Sequence, residues 1–206
     1  MRANIGAVIL AAGRGSRFAN SGGDGPKQLV SIDGLPMLQQ VINQANTLLP
    51  GRVHSLLGSD WQAIEQQVVG SEVIINPHWQ RGLGNSIACA VKHLSAAPAA
   101  YEGLLVMLGD QPVLNSSGLA EMLDLFDGDR AVCASYAGHA GVPALFPRAL
   151  FANLIALDGD TGARVMLQSL TAKITVPMPE AAVDIDTVED VNRLRQAAAQ
   201  SGKFSG

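Results

Sequence analysis

The stretch IGAVILAAGRGSRFANSGGDGPKQL, Ile5 to Leu29, decides how the chain is read. Ile5 to Leu10 is a short continuous apolar run, the pattern of a buried strand. A loop rich in Gly and Arg follows and reaches to about Lys27. Small residues at Ala11, Ala12, Gly13 and Gly15 let backbone approach a ligand closely, and successive N–H groups in such a loop make an anion-binding nest. Arg14, Arg17 and Lys27 add three cations, so a triphosphate is the natural guest. A flexible surface loop is the plain alternative; the place after a buried strand and the three cations weigh against it. Two familiar phosphate loops do not fit. A dinucleotide fingerprint needs a third glycine where Phe18 stands, and a Walker A loop needs Gly-Lys before Ser or Thr, whereas Lys27 lies between Pro26 and Gln28.

Outward from this stretch, apolar runs alternate with helical spacings. Strands are expected over Val53–Leu57, Val73–Ile75, Leu104–Leu108, Ala131–Ser135, Val142–Phe146 and Ile174–Val176. Helices are expected over Pro36–Leu49, Trp61–Val69, Ser86–Leu94, Ser116–Phe126, Arg148–Leu157, Ala163–Leu170 and Val188–Ala199, with Pro36 in a first turn and Ser86 as a cap. This alternation implies βαβ units and an α/β fold with a mostly parallel sheet flanked by helices. The closer succession of the strands near 142 and 174 leaves an antiparallel edge open. No repeat or linker breaks the pattern, so residues 1–200 read as one domain and 201–206 as a frayed tail.

Composition bounds the function. The 206 residues are 48% hydrophobic with a net charge of −4, enough for a large core and unlike a basic nucleic-acid footprint. Cys89 and Cys133 lie far apart with no Cys/His ligand pair around them, which disfavours zinc and excludes a disulfide framework. Two buried thiols are expected. The N-terminal apolar run is too short to span a membrane, and the chain reads as soluble and cytoplasmic. His54, His78, His93 and His139 are dispersed without a nucleophile or metal partner, and no serine elbow is present.

In parallel sheets ligands sit outside the carboxyl ends of strands. Asp110, in Leu108-Gly109-Asp110-Gln111-Pro112, follows an apolar strand there, and a hard carboxylate suits Mg²⁺; a turn aspartate is the alternative. In Asp184-Ile185-Asp186-Thr187-Val188-Glu189-Asp190, Asp186 or Thr187 caps the last helix with Glu189 or Asp190 completing a capping box, or Asp186 supplies a second metal carboxylate. One loop can do both. Gly82, Gly84 and Asn85 allow close packing against a flat base and Ser86 offers a hydroxyl, the alternative being a turn with a helix cap. The segment Asp158 to Arg164 is a turn and cap, or a loop presenting Arg164 to an acceptor phosphate. His139 lies in a glycine-rich loop able to border a pocket.

These pieces, in this order, resemble the MobA-like nucleotidyltransferase family, and most nearly its molybdenum cofactor cytidylyltransferase branch. The resemblance rests on Leu10-Ala11-Ala12-Gly13 with Arg17 and Lys27, Gly82 to Ser86, Gly109 to Pro112, Gly141 to Phe146, Gly159 to Arg164 and Asp184 to Thr187, which span nearly the whole chain. It implies a Rossmann-like nucleotidyltransferase fold. It implies that Leu10, Ala11 and Gly13 contact the nucleotide through backbone, that Arg17 and Lys27 bind phosphates and share catalysis with Asp110, and that Gly84, Asn85 and Ser86 touch the base. Asp110 and Asp186 would hold Mg²⁺. Ala-Ala-Gly in the first loop, with Ala12 in the middle, resembles the CTP-using branch. The implied partners are an NTP, CTP by preference, and a small phosphorylated acceptor such as molybdopterin, with transient contact to a molybdoenzyme or its chaperone and no nucleic acid or membrane. The loop departs from the family pattern in being lengthened by Asn20 to Gly25. Use of GTP, a sugar or alcohol phosphate acceptor, and non-catalytic carriage of a nucleotide or cofactor stay open as alternatives.

Overall fold

The structure, a computed structural model, describes residues 3–96 and 101–201, the last four of these by backbone alone. Strand β1 (Ile5–Ala11) is buried at every position. Helix α1 (Ser16–Asn20), strands β2 (Ser31–Ile32) and β3 (Leu35–Pro36) and helix α2 (Met37–Leu48) follow. Next come β4 (Val53–Leu57), α3 (Trp61–Glu65), β5 (Glu72–Ile75), α4 (Leu83–Ser95), β6 (Gly103–Leu108) and α5 (Ser116–Asp124). The chain closes with β7 (Ala131–Tyr136), β8 (His139–Pro147), α6 (Phe151–Ile155), α7 (Ala163–Ser169), β9 (Lys173–Pro177) and α8 (Val188–Ser201).

Seven strands form one sheet in the order β5-β4-β1-β6-β8-β7-β9, and β2 and β3 form a separate antiparallel pair. Parallel pairing places β1 between β4 and β6. Side-chain alternation along β1 then divides the core. Ala7 and Ile9 point into a cluster with Leu38, Val41 and Ile42 of α2. Val8 and Leu10 point into a second cluster with Ile87, Ala90 and Val91 of α4. A strand covered on both faces has no polar face to show, which is why IGAVIL reads as an unbroken apolar run. Each Val, Leu or Ile among them contributes roughly 1.5–3 kcal/mol by leaving water.

The sheet is mixed, and its antiparallel member lies inside it rather than at an edge. β8 pairs antiparallel with both β6 and β7. The link from β7 is two residues, Ala137 and Gly138, both at positive φ (48° and 77°), the twist-compatible geometry of a tight hairpin. The hairpin folds β8 back between β6 and β7, and the outer strand β9 runs parallel to β7. Other boundaries shift locally. The helix expected to Val69 ends at Glu65. The one expected from Arg148 opens as a 3-10 turn before α6. Ser201 closes α8, and the rest of the expected frayed tail lies outside the described residues.

Candidate active site

The ends of β1 and β6 meet in register, Leu10 opposite Leu108, and Gly109 N–H donates to the Leu10 carbonyl at 3.0 Å. Asp110 therefore emerges beside the loop that leaves β1. That loop is more structured than its composition suggests. Gly15 takes a left-handed φ of 69°, and a Cβ there would stand 2.9 Å from Lys27 Cβ, so glycine lets the two segments touch. The segment from Ser16, expected as loop, contains α1, whose Phe18 packs with Ile32, Met37, Ile185 and Val191 in a third apolar cluster. Of the extra residues 20–25, Asn20 ends α1 and the rest form the turn and bend after it, and a 3-10 turn, Lys27–Leu29, returns the chain to the site. Gln28 fixes it there: its buried amide donates to the carbonyls of Ala11 (2.8 Å) and Gly13 (2.7 Å). Sequence reasoning does not find Gln28, since a single glutamine in a loop carries no periodic signal.

Lys27 is the centre of the site. Its Nζ donates to Asp110 Oδ2 at 2.8 Å and to Asp186 Oδ1 at 2.9 Å, and its side chain is only 10% exposed. Burial alone would lower its pKa; the charges and hydrogen bonds of Asp110 and Asp186 outweigh that and hold it above 10.5. Arg17, mostly exposed, pairs with Asp186 Oδ2 at 2.7 Å. Asp110 Oδ1 is buried with no partner. A third carboxylate, Asp184, accepts from Gln111 Nε2 at 3.0 Å. Its pKa is raised, first by burial and then by the negative charge of Asp110 and Asp186.

The capping reading of the 184–190 segment is seen in the structure. Thr187 Oγ1 accepts from Asp190 N–H at 3.2 Å, while Asp190 Oδ2 accepts from Thr187 N–H at 2.9 Å, a capping box at the start of α8. This leaves the Asp186 side chain free to face Lys27, and Ile185 N–H ties the segment to the Asp110 carbonyl at 3.0 Å.

A cleft of about 1070 Å³, counting its open mouth, runs from Leu10, Ala12 and Gly13 past Arg17 to the carboxylates. Its far wall includes Trp79, Gly82, Leu83 and Ser86. A smaller recess of about 330 Å³ between Ala11, Gly15, Lys27 and Gln28 shares Leu10, Gly13 and Asp110 with it. One expectation for this wall is corrected. Ser86 is not a cap: α4 starts at Leu83, three residues earlier, and Ser86 is a buried residue of the helix whose hydroxyl stands 3.2 Å from Asn76 Nδ2. Gly84 does not line the cleft. Its N–H donates to the Gly159 carbonyl at 2.8 Å, and a Cβ there would meet Thr161 O at 2.6 Å and Asp158 O at 2.8 Å. It is glycine because the 158–161 segment rests on it. Asn85 Oδ1 accepts from Asn76 Nδ2 at 3.2 Å, and Asn85 likewise stands outside the cleft wall. Arg164 and His139 are exposed and line neither cavity, whereas Asp160 borders the cleft. His54 is a core residue bonded to the Tyr101 hydroxyl at 2.9 Å, and Cys89 is half-buried rather than buried.

Among the described residues no three His, Cys, Asp or Glu side chains converge to hold a metal. Asp110 and Asp186 nevertheless fit a hard divalent ion of the Mg²⁺ type, which commonly takes one or two carboxylates and completes its shell with water and substrate phosphates. The unpartnered Asp110 Oδ1 is the observation that favours this fit. No helix of the described residues is long and apolar enough to cross a membrane.

Comparison with known proteins agrees with this architecture. Rv0371c from Mycobacterium tuberculosis H37Rv is 26% identical and superposes with a TM-score of 0.78 over 95% of this chain and 99% of its own. A structure of Rv0371c in complex with manganese matches at 25% identity and a TM-score of 0.76 over 94% and 99% of the two chains. The bifunctional protein GlmU of Pseudomonas paraeruginosa is 33% identical over 117 residues, 56% of this chain. The chain spans about a quarter of the length of such curated relatives (24% for this one). Residues 7–174 match the MobA-like NTP transferase domain, and the chain belongs to that family.

Proposed function

We propose that the protein transfers CMP from CTP to a phosphorylated acceptor, with molybdopterin as the acceptor, and releases pyrophosphate. The observation that carries this reading is the Lys27 ammonium held between Asp110 and Asp186 at the mouth of the glycine-rich loop. A buried cation and a carboxylate pair beside a glycine-rich loop is what an NTP complexed with a divalent ion needs. The fold and family supply the reaction class. The Ala-Ala-Gly loop supports CTP, and the order of motifs supports the molybdopterin branch.

The chemistry places few demands on the protein. An acceptor phosphate oxygen attacks the α-phosphorus; a new P–O bond forms as the bond to the bridging α–β oxygen breaks, and the electron pair leaves with pyrophosphate. Both reactants are anions, so alignment and charge neutralisation dominate. The backbone of Leu10, Ala11 and Gly13 and the side chains of Lys27 and Arg17 hold the triphosphate. Ala12 and Ser86 border the base. Asp110 and Asp186 would hold Mg²⁺, and the ion would supply neutralisation of the phosphate charge. A phosphate monoester is already a competent nucleophile, so no general base is required, which accords with the dispersed histidines. Residues 1–200 act as one domain in the cytoplasm, with transient contact to a molybdoenzyme or its chaperone and none with nucleic acid or membrane.

The test is pyrophosphate release with CTP, GTP, ATP and UTP, each with molybdopterin and Mg²⁺. Release with CTP above the other three supports the reading. Release only with a sugar or alcohol phosphate acceptor moves the acceptor, and NTP binding with no release under any condition makes the protein a carrier.

A further inference from the structure

We propose that Lys27 is a resident stand-in for the divalent ion: in the nucleotide-free protein its ammonium holds the carboxylate pair, and the ion enters only as a triphosphate draws Lys27 away. This rests on the reading that Asp110 and Asp186 hold the ion and that the cleft takes an NTP.

The geometry of the pair points here. Lys27 Nζ takes one oxygen of each carboxylate, at 2.8 and 2.9 Å, as a point cation between two acceptors. Arg17 takes the second oxygen of Asp186. Only Asp110 Oδ1 is left without a partner. One carboxylate oxygen is a poor site for an ion that seeks six oxygens. Two cations also cannot share the gap, since an ammonium and a divalent ion a few ångströms apart repel strongly away from bulk water.

Lys27 is not a casual surface pair. Its backbone is fixed by the 3-10 turn and by the Gly15 contact, and its side chain is largely buried. Its four-carbon stem still lets the ammonium turn about that fixed point, and phosphate oxygens in the adjoining recess are acceptors of the same kind. Once Lys27 bonds the triphosphate, one oxygen of each carboxylate is released together. Arg17, 76% exposed, can follow at little cost. Ion and nucleotide then bind with positive coupling, and by reciprocity each raises the other's affinity.

The experiment is Mn²⁺ binding to the full chain without nucleotide, followed by electron paramagnetic resonance, for wild type and Lys27→Met. Methionine keeps the stem and removes the charge. Lys27→Met should bind Mn²⁺ at least about tenfold tighter than wild type and gain thermal stability from Mn²⁺ alone. Equal or weaker binding by the variant overturns the proposal. Should the variant not fold, the wild-type chain decides: the ¹⁵N resonance of Lys27 Nζ should hold in Mg²⁺ alone and move when a non-hydrolysable CTP analogue is added. Displacement by Mg²⁺ alone overturns it. Failure of CTP turnover with these binding results intact would refute the proposed function and leave this inference standing.

Discussion

Gly84→Ala separates two reasons for a glycine. If Gly84 were kept small to lie against a base, alanine would cost nucleotide binding and gain a little helix stability, less than the roughly 1 kcal/mol of an interior position because Gly84 lies in the first turn of α4. The structure assigns it to packing. The new Cβ would stand 2.6 Å from Thr161 O, 2.8 Å from Asp158 O and 3.0 Å from Asp158 N, all backbone atoms that cannot rotate aside. Relief requires the 158–161 segment to lift, which strains the Gly84–Gly159 hydrogen bond and the Arg81–Asp158 pair. Overpacking costs about 1–3 kcal/mol and the lost bond about 1 kcal/mol. The exposed ion pair adds little. Less some helix gain, the net loss is about 2 kcal/mol, which at a slope of about 2 kcal/mol per molar lowers the urea midpoint by about 1 M. Unfolding of both proteins in urea, followed by far-ultraviolet circular dichroism, measures it. A variant as stable as wild type, or more so, would refute the packing account.

Three further outcomes are expected. Lys27→Ala should lower stability by about 2 kcal/mol, below the roughly 3–5 typical of broken buried pairs because its partners keep some solvent, and should raise the KM for NTP; urea unfolding and initial rates check both. Because the folded pKa of Lys27 is raised, its stabilisation is full below the unfolded value of 10.5 and is lost as pH climbs through the folded value, so the stability gap should persist from neutral pH to 10.5. Ala12→Gly should gain GTP use, since Ala12 borders the cleft and space for a larger ring costs about 1–3 kcal/mol to deny; competition of CTP against GTP reads it, and unchanged preference would count against a steric role.

Much of the fold and part of the site are legible in the order of residues alone. The unbroken apolar runs of β1 and β6 suit strands covered on both faces, and that sets which loops lie at the ligand edge. Asp110 and the 184–190 segment stand out because they follow such runs or precede a helix. What is not legible depends on contacts between distant segments. Nothing local says that Lys27 reaches two carboxylates 83 and 159 residues away, or that Gln28 clamps the loop carbonyls. Gly84 is ambiguous because a glycine near a helix start looks the same whether a base or another loop rests on it. The place of β8 inside the sheet escapes because strand spacing reports a hairpin, not the neighbour it finds.

Asp110, set against Lys27 at the end of β6, is expected to belong to the machinery of transfer. Pyrophosphate release by Asp110→Ala, measured beside wild type with CTP, Mg²⁺ and molybdopterin on protein shown to be folded, tests it most directly. The expected loss is about a thousandfold or more, since a missing ion ligand removes several kcal/mol of transition-state stabilisation. A folded variant that keeps more than about a tenth of the wild-type rate would contradict it.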